Sequence, residues 1–144
     1  MALTECNCAA LRQASRFVTR IYDEALAPVG LGINQFSILA RLGRQGPLVM
    51  QDLARALVMD RSTLGHLLRP LARRDLVFFA ADGADARCRL VSLTPAGEAL
   101  LAAARPLWAA AQDRFERQFG TGQATALRAA LADVVARQPT DNPA

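Results

Sequence analysis

Lysine is absent from this chain: all 17 cationic residues are arginine, and His66 is the single histidine. With the high alanine content, this usage reads as the imprint of a GC-rich genome rather than a mechanism. One histidine excludes metal centres built on histidine clusters, and no metal or cofactor is expected. The three cysteines, Cys6, Cys8 and Cys88, are too loosely spaced for a disulfide framework and fit a reducing compartment. No apolar run is long enough to span a bilayer, and the N-terminus lacks the apolar core of a signal peptide. The expected location is therefore cytoplasmic, with no membrane partner. A nucleophile elbow, paired acids in helical register and a phosphate loop are all missing, since Gly30-Leu31-Gly32 follows no strand. An enzyme is not expected, and no catalytic residue is assigned.

What is present is a 144-residue chain, 52% hydrophobic, enough for one domain with a real core. Its net charge of +4 favours an anionic partner. Nine arginines (41, 44, 55, 61, 69, 73, 74, 87, 89) face five aspartates (52, 60, 75, 82, 85) between Arg41 and Arg89, so most of the excess lies there.

That region also carries the clearest pattern. Met50, Leu53, Ala54 and Leu57 fall at i, i+3, i+4 and i+7, and Leu64, Leu67, Leu68 and Leu71 repeat the spacing. Each set is one apolar stripe of an amphipathic helix. Only Val58 and Met59 separate the first stripe from Asp60, a good N-cap for the second. Two helices so close must cross sharply to bury both stripes, which is helix-turn-helix geometry. The opposite face of the second helix shows Ser62, Gly65, His66, Arg69 and Arg73, a polar, cationic surface suited to a DNA major groove. Arg61, Ser62, Thr63, His66, Arg69 and Arg73 are the contact candidates, because early helix positions aim polar groups and backbone N–H at phosphates and base edges. Pro70 falls inside this helix, which we place at 61–74 with a kink.

Leu76–Ala80 and Arg87–Leu93 are β-prone runs, and residues 81–86 supply a turn between them. A hairpin directly after a recognition helix makes a winged helix-turn-helix. Arg87 at the tip is placed to reach the adjacent minor groove, where negative potential attracts arginine. Asp85 is expected to hold its guanidinium by a bidentate pair, and Arg89 joins the DNA-facing set. Here the residues resemble the MarR family (multiple-antibiotic-resistance regulators). The resemblance is carried by Asp60-Arg61-Ser62-Thr63-Leu64, Arg69-Pro70-Leu71 and Asp85-Ala86-Arg87, then Val91-Ser92-Leu93-Thr94-Pro95-Ala96-Gly97. His66 and Leu67 depart from the family pattern, which usually has a long polar residue and a small amide there. The resemblance covers about Cys8 to Arg137. It implies a mostly α fold with a small β-hairpin wing, and a regulator of transcription, usually a repressor, bound to double-stranded DNA.

The flanking helices fit that scheme. A first helix is expected over 8–27, with Leu11, Val18, Tyr22 and Ala25 on one face, ending at Pro28 and Gly30. A second spans about 34–43, carrying Phe36, Leu39 and Ala40 inward; Gly46-Pro47 stops it, and Leu48-Val49 adds a short strand to the wing. Thr94 caps a long helix from Pro95 to about Phe119, which offers Leu100, Leu101, Leu107, Trp108 and Phe115 and bends at Pro106. A last helix, 123–137, lines up Leu127, Leu131, Val134 and Val135, and the polar tail from Gln138 is expected to fray. The terminal stripes exceed what a small winged domain can bury, so a symmetric homodimer on a pseudo-palindromic operator is expected. The whole of 1–144 is thus one MarR-like domain: 31–93 is the winged helix-turn-helix, and 8–29 and 95–137 are dimerisation helices.

Two regulatory sites are expected. Phe17, Tyr22, Phe36 and Trp108 are taken to line an effector pocket for a small aromatic molecule between the dimerisation helices and the winged domain. Cys8 is the redox candidate. Its spacing to Ser15, Arg16 and Tyr22 resembles the reactive cysteine of organic hydroperoxide resistance regulators, a MarR subgroup, although Arg12 stands where that subgroup has its second tyrosine. It lies near a helix N-terminus, with Cys6 close enough in sequence to trap a sulfenic acid. The competing reading is a buried cysteine serving as a small hydrophobe.

Overall fold

A computed structural model describes residues 5–85 and 87–137. Residues 1–4, Ala86 and the tail 138–144 lie outside the described residues. Six helices and three short strands follow one another in the chain: α1 (Asn7–Leu26), a 3-10 turn (Ala27–Val29), α2 (Ile33–Gln45), β1 (Leu48–Val49), α3 (Met50–Ala56), α4 (Arg61–Arg73), β2 (Val77–Ala81), β3 (Arg89–Leu93), α5 (Pro95–Phe119) and α6 (Thr121–Ala136). Among the described residues no single helix is long and apolar enough to cross a membrane.

Local capping sets most boundaries. Cys6 is the N-cap of α1, accepting the Ala9 N–H at 3.5 Å, which starts the helix one residue earlier than its apolar stripe suggests. Pro28 sits in the 3-10 turn, and Gly30, at φ 67°, reverses the chain. The α1 residue Asp23 then accepts the Ile33 N–H at 2.7 Å, so the first helix caps the second. Helix α2 runs to Gln45, two residues beyond the expected Gly43, and stops at Gly46 as expected, where a φ of 78° suits glycine. Gly43 is a packing residue instead: a Cβ there would lie 2.7 Å from Leu101 Cδ2.

The two stripes of the helix-turn-helix fold as expected. Leu53, Ala54, Leu64, Leu68 and Leu71 are buried in the main core, and Met50, Leu57 and Leu67 pack partly buried against it. Both α4 and α5 run as single helices through their internal prolines, Pro70 and Pro106. The sheet has the order β1-β3-β2, all antiparallel, with Leu48 opposite Val91 and Val77 opposite Leu93. Each strand of the hairpin starts later than the β-prone run that signals it. Leu76 instead closes the α4–β2 turn, donating to Leu71 O, after Asp75 adopts φ 57°.

The hairpin and α5 meet at one tight joint. Thr94, the N-cap of α5, accepts the Gly97 N–H at 2.9 Å and donates its own hydroxyl to Asp75 O. Leu101 and Ala104 carry α5 into the winged core, so Leu101 belongs to that core and not to an outer face. Further along, Ala111 joins Ile21 and Tyr22 of α1 in a second, smaller cluster. Helix α6 buries only Ala124. Its stripe is open to solvent in the protomer, with Leu131 39% and Val134 61% exposed, and Leu11 and Phe17 of α1 are likewise exposed.

Candidate nucleic-acid interface

Helix α4 begins with a firm cap. The Asp60 carboxylate accepts the Thr63 N–H at 2.6 Å and the Thr63 hydroxyl at 3.0 Å. The backbone bond, followed by the hydroxyl, holds the Asp60 carboxyl below its ordinary range and keeps it ionised. Thr63 therefore spends its hydroxyl on the helix start. Arg61, Ser62, His66, Arg69 and Arg73 are all exposed along the face turned away from the leucine stripe. Arg74 is not part of this surface. Its guanidinium donates to Gly30 O at 2.7 Å and Val29 O at 3.2 Å, clasping the end of α4 to the α1–α2 turn.

The wing tip is built by its own aspartates. Asp82 accepts the Ala84 N–H at 3.1 Å, and Asp85 Oδ1 accepts the Arg87 N–H at 3.0 Å. Asp85 Oδ2 takes the Cys88 thiol at 3.6 Å. The expected bidentate pair with the Arg87 guanidinium is thus replaced by a turn in which the carboxylate serves the backbone, and the Arg87 side chain is exposed. Arg89, two residues further on and the first of β3, lies with its guanidinium 5.4 Å from the centroid of the Phe79 ring. Desolvation, then the charges of Asp85 and Asp82, pushes the Cys88 thiol up, while Arg61 opposes them.

A family model described as the MarR family matches residues 31–88. The structure of the M. tuberculosis transcriptional regulator MosR in complex with DNA is 35% identical, over 93% of this chain and all of that one (100%), with a TM-score of 0.77. The chain belongs to the MarR family. Among MarR-type relatives, the transcriptional repressor NicR of Pseudomonas putida is 33% identical over 96 residues, which make up 67% of this chain and 61% of that protein. The chain thus spans less than two thirds of that relative's length. BpsR of Bordetella bronchiseptica, whose DNA binding is regulated by 6-hydroxynicotinic acid, is 26% identical over 96% of this chain and 99% of that one, at a TM-score of 0.82.

On this MarR scaffold the four expected effector residues do not share one cavity. Phe36 of α2 and Trp108 of α5 stack, with centroids 6.0 Å apart and planes at 16°. They line a cavity of about 500 Å³ with Ala40, Arg44, Arg105 and Ala109. Tyr22 lies in another, of about 450 Å³, between α1, α5 and α6. Phe17 borders a third. The reason is helical geometry: at 100° per residue, positions 17 and 22 point about 140° apart around α1. Tyr22 instead enters a polar chain that sequence reading missed. Its hydroxyl donates to Gln112 Oε1, Gln112 donates to Glu116 at 3.4 Å, and Arg128 of α6 pairs with Glu116 at 2.9 Å. Burial, then the Glu116 charge, raises the Tyr22 pKa above its ordinary value. The available signal was the i, i+4 placement of Gln112 and Glu116, but only the fold brings Tyr22 and Arg128 to them.

Cys8 is exposed in the first turn of α1, which overturns the reading of it as a buried hydrophobe in the protomer. Within the protomer Tyr22 is not beside it: fourteen residues of helix separate the two by about 21 Å of rise.

Proposed function

We propose that the chain is a DNA-binding transcriptional repressor that acts as a homodimer on a pseudo-palindromic operator, with a small aromatic effector lowering its affinity. Helix α4 enters the major groove through Arg61, Ser62, His66 and Arg69, Arg73 meets phosphate, and Arg87 enters the flanking minor groove. The observation that carries this reading is the exposed, cationic face of α4 beside an exposed Arg87 on a carboxylate-braced turn. Asp85 then acts by shaping the tip, and Arg89 by stiffening the wing against Phe79. Dimerisation sets the spacing of the two recognition helices.

The effector reading rests on the α2–α5 cavity. Its Phe36–Trp108 stack offers an aromatic wall, and Arg44 and Arg105 on its lining supply cations for a carboxylate or phenolate. BpsR's response to an aromatic acid supports that class of ligand. The test is a titration of the purified protein against its own upstream DNA, with and without aromatic acids. Affinity that falls steeply with salt is expected of a protein neutralising several phosphates, and flat salt dependence with no preference for that DNA would refute the reading.

Arg87→Ala is expected to weaken operator binding by about 1–3 kcal/mol while leaving the fold and assembly intact. A gel-shift titration with unchanged affinity would remove the wing from the interface.

A second reading is favoured by the exposed Cys8 with Cys6 at the N-cap two positions before it. In it the Cys8 thiolate attacks a hydroperoxide oxygen, an alcohol leaves, and the resulting sulfenic acid condenses with the Cys6 thiol, releasing water. Cumene hydroperoxide is then expected to release DNA from the wild type but not from Cys8→Ser. Identical behaviour of the two proteins excludes this role and leaves the aromatic effector.

A further inference from the structure

Glycine in the middle of a helix is unfavourable relative to alanine, so an interior glycine needs a reason. For most glycines the fold supplies one. Gly30, Gly46 and Gly120 have positive φ, and Gly43 and Gly97 are pressed against Leu101 and Leu76. Gly65 has neither excuse. It lies within α4, its φ is outside the left-handed region, and a Cβ built on it meets nothing within 4 Å. The protein itself would accept alanine there and gain from it.

The position of this gap is specific. Residues 61, 65, 69 and 73 form one i+4 ridge along α4, so Gly65 is a notch between the exposed Arg61 and Arg69, beside exposed Ser62 and His66. It falls in the second turn, in the half of a recognition helix that approaches base edges most closely. The notch has no side-chain donor or acceptor. The base-edge group that suits such a surface is the C5-methyl of thymine, the one apolar feature of the major groove.

We propose that Gly65 is a specificity-determining residue: its missing side chain lets a thymine methyl seat against the α4 backbone between Arg61 and Arg69. The proposal rests on the DNA-binding reading above and goes beyond it by assigning a base preference to one position.

The test compares wild type with Gly65→Ala on the duplex that the wild type enriches from a random-sequence pool. Gly65→Ala is expected to melt about 2–6 °C higher, as a relieved interior glycine should. It is also expected to lose about tenfold or more in affinity for the enriched duplex, with binding to random-sequence DNA unchanged. Replacing each dT of a half-site by dU, which removes only the methyl, should reveal one position that weakens the wild type and strengthens the variant. Unchanged affinity of Gly65→Ala for the enriched duplex overturns the proposal alone. Equal loss on random DNA overturns it too, since the notch would then seat sugar-phosphate backbone. Failure of the wild type to enrich any sequence overturns the DNA-binding reading and this one together.

Discussion

Gly97→Ala is expected to cost about 3 kcal/mol of stability or more. A Cβ at Gly97 would lie 2.0 Å from Leu76 O and 3.0 Å from its carbonyl carbon. Both obstacles are backbone, so no rotamer change relieves the clash. Nor can the helix start simply move away. The Gly97 N–H is held by Thr94, whose hydroxyl is tied in turn to Asp75 O, while the Thr94 N–H donates to Leu76 O at 3.1 Å. Relief requires breaking these bonds or pulling Leu101 and Ala104 out of the core. Urea unfolding followed by circular dichroism measures the loss, with Gly65→Ala as a control that adds the same methyl where nothing stands in its way. A Gly97→Ala midpoint equal to that of the wild type would show that the joint yields to an added methyl group.

Removal of residues 123–144 is expected to turn the proposed dimer into a monomer and to abolish tight operator binding. Leu127, Leu131, Val134 and Val135 are open to solvent in the protomer, and each such side chain is worth about 1.5–3 kcal/mol when fully buried. In the proposed dimer, two copies of that stripe related by a two-fold axis would bury each other. Loss of the dimer also removes the second recognition helix, and with it the gain in effective concentration from the first contact. The core of the winged part draws nothing from α6, so the truncated chain keeps its fold. Leu131→Arg supplies a milder version with the helix intact. Sedimentation velocity reads the outcome, and a truncated chain that still sediments as a dimer places the interface elsewhere.

The winged core was legible in the sequence because its signals are local. A leucine every third or fourth residue, an aspartate at an N-cap and a turn rich in aspartate and glycine each act within one helical turn or one hairpin. The stop of α2 at Gly46 was local and legible, whereas the packing role of Gly43 depends on Leu101, 58 residues away in the chain. Arg74 misled for the same reason. It counts towards the basic excess, yet its guanidinium is spent on two carbonyls 44 and 45 residues away in the chain. The aromatic set failed because side-chain type says nothing about which face of α1 meets which cavity. Residues that share a wall come from α2 and α5, and those helices meet only through the tertiary fold.

The contact between Gly97 and Leu76 has a mechanical consequence. Helix α5 is 25 residues long, about 37 Å at 1.5 Å per residue. Its first turn is locked to the base of the hairpin without a spacer, while its far end carries the open face of α6. It is therefore a single continuous helix that joins the base of the wing to the open face of α6. A tilt of about 5° about that joint sweeps the far end through about 3 Å over such a length; conversely, a partner that fixes the far end dictates the angle at which the wing meets its target. The cavity beside Phe36 and Trp108 lies partway along this helix, where a bound molecule would change that angle with little displacement of its own.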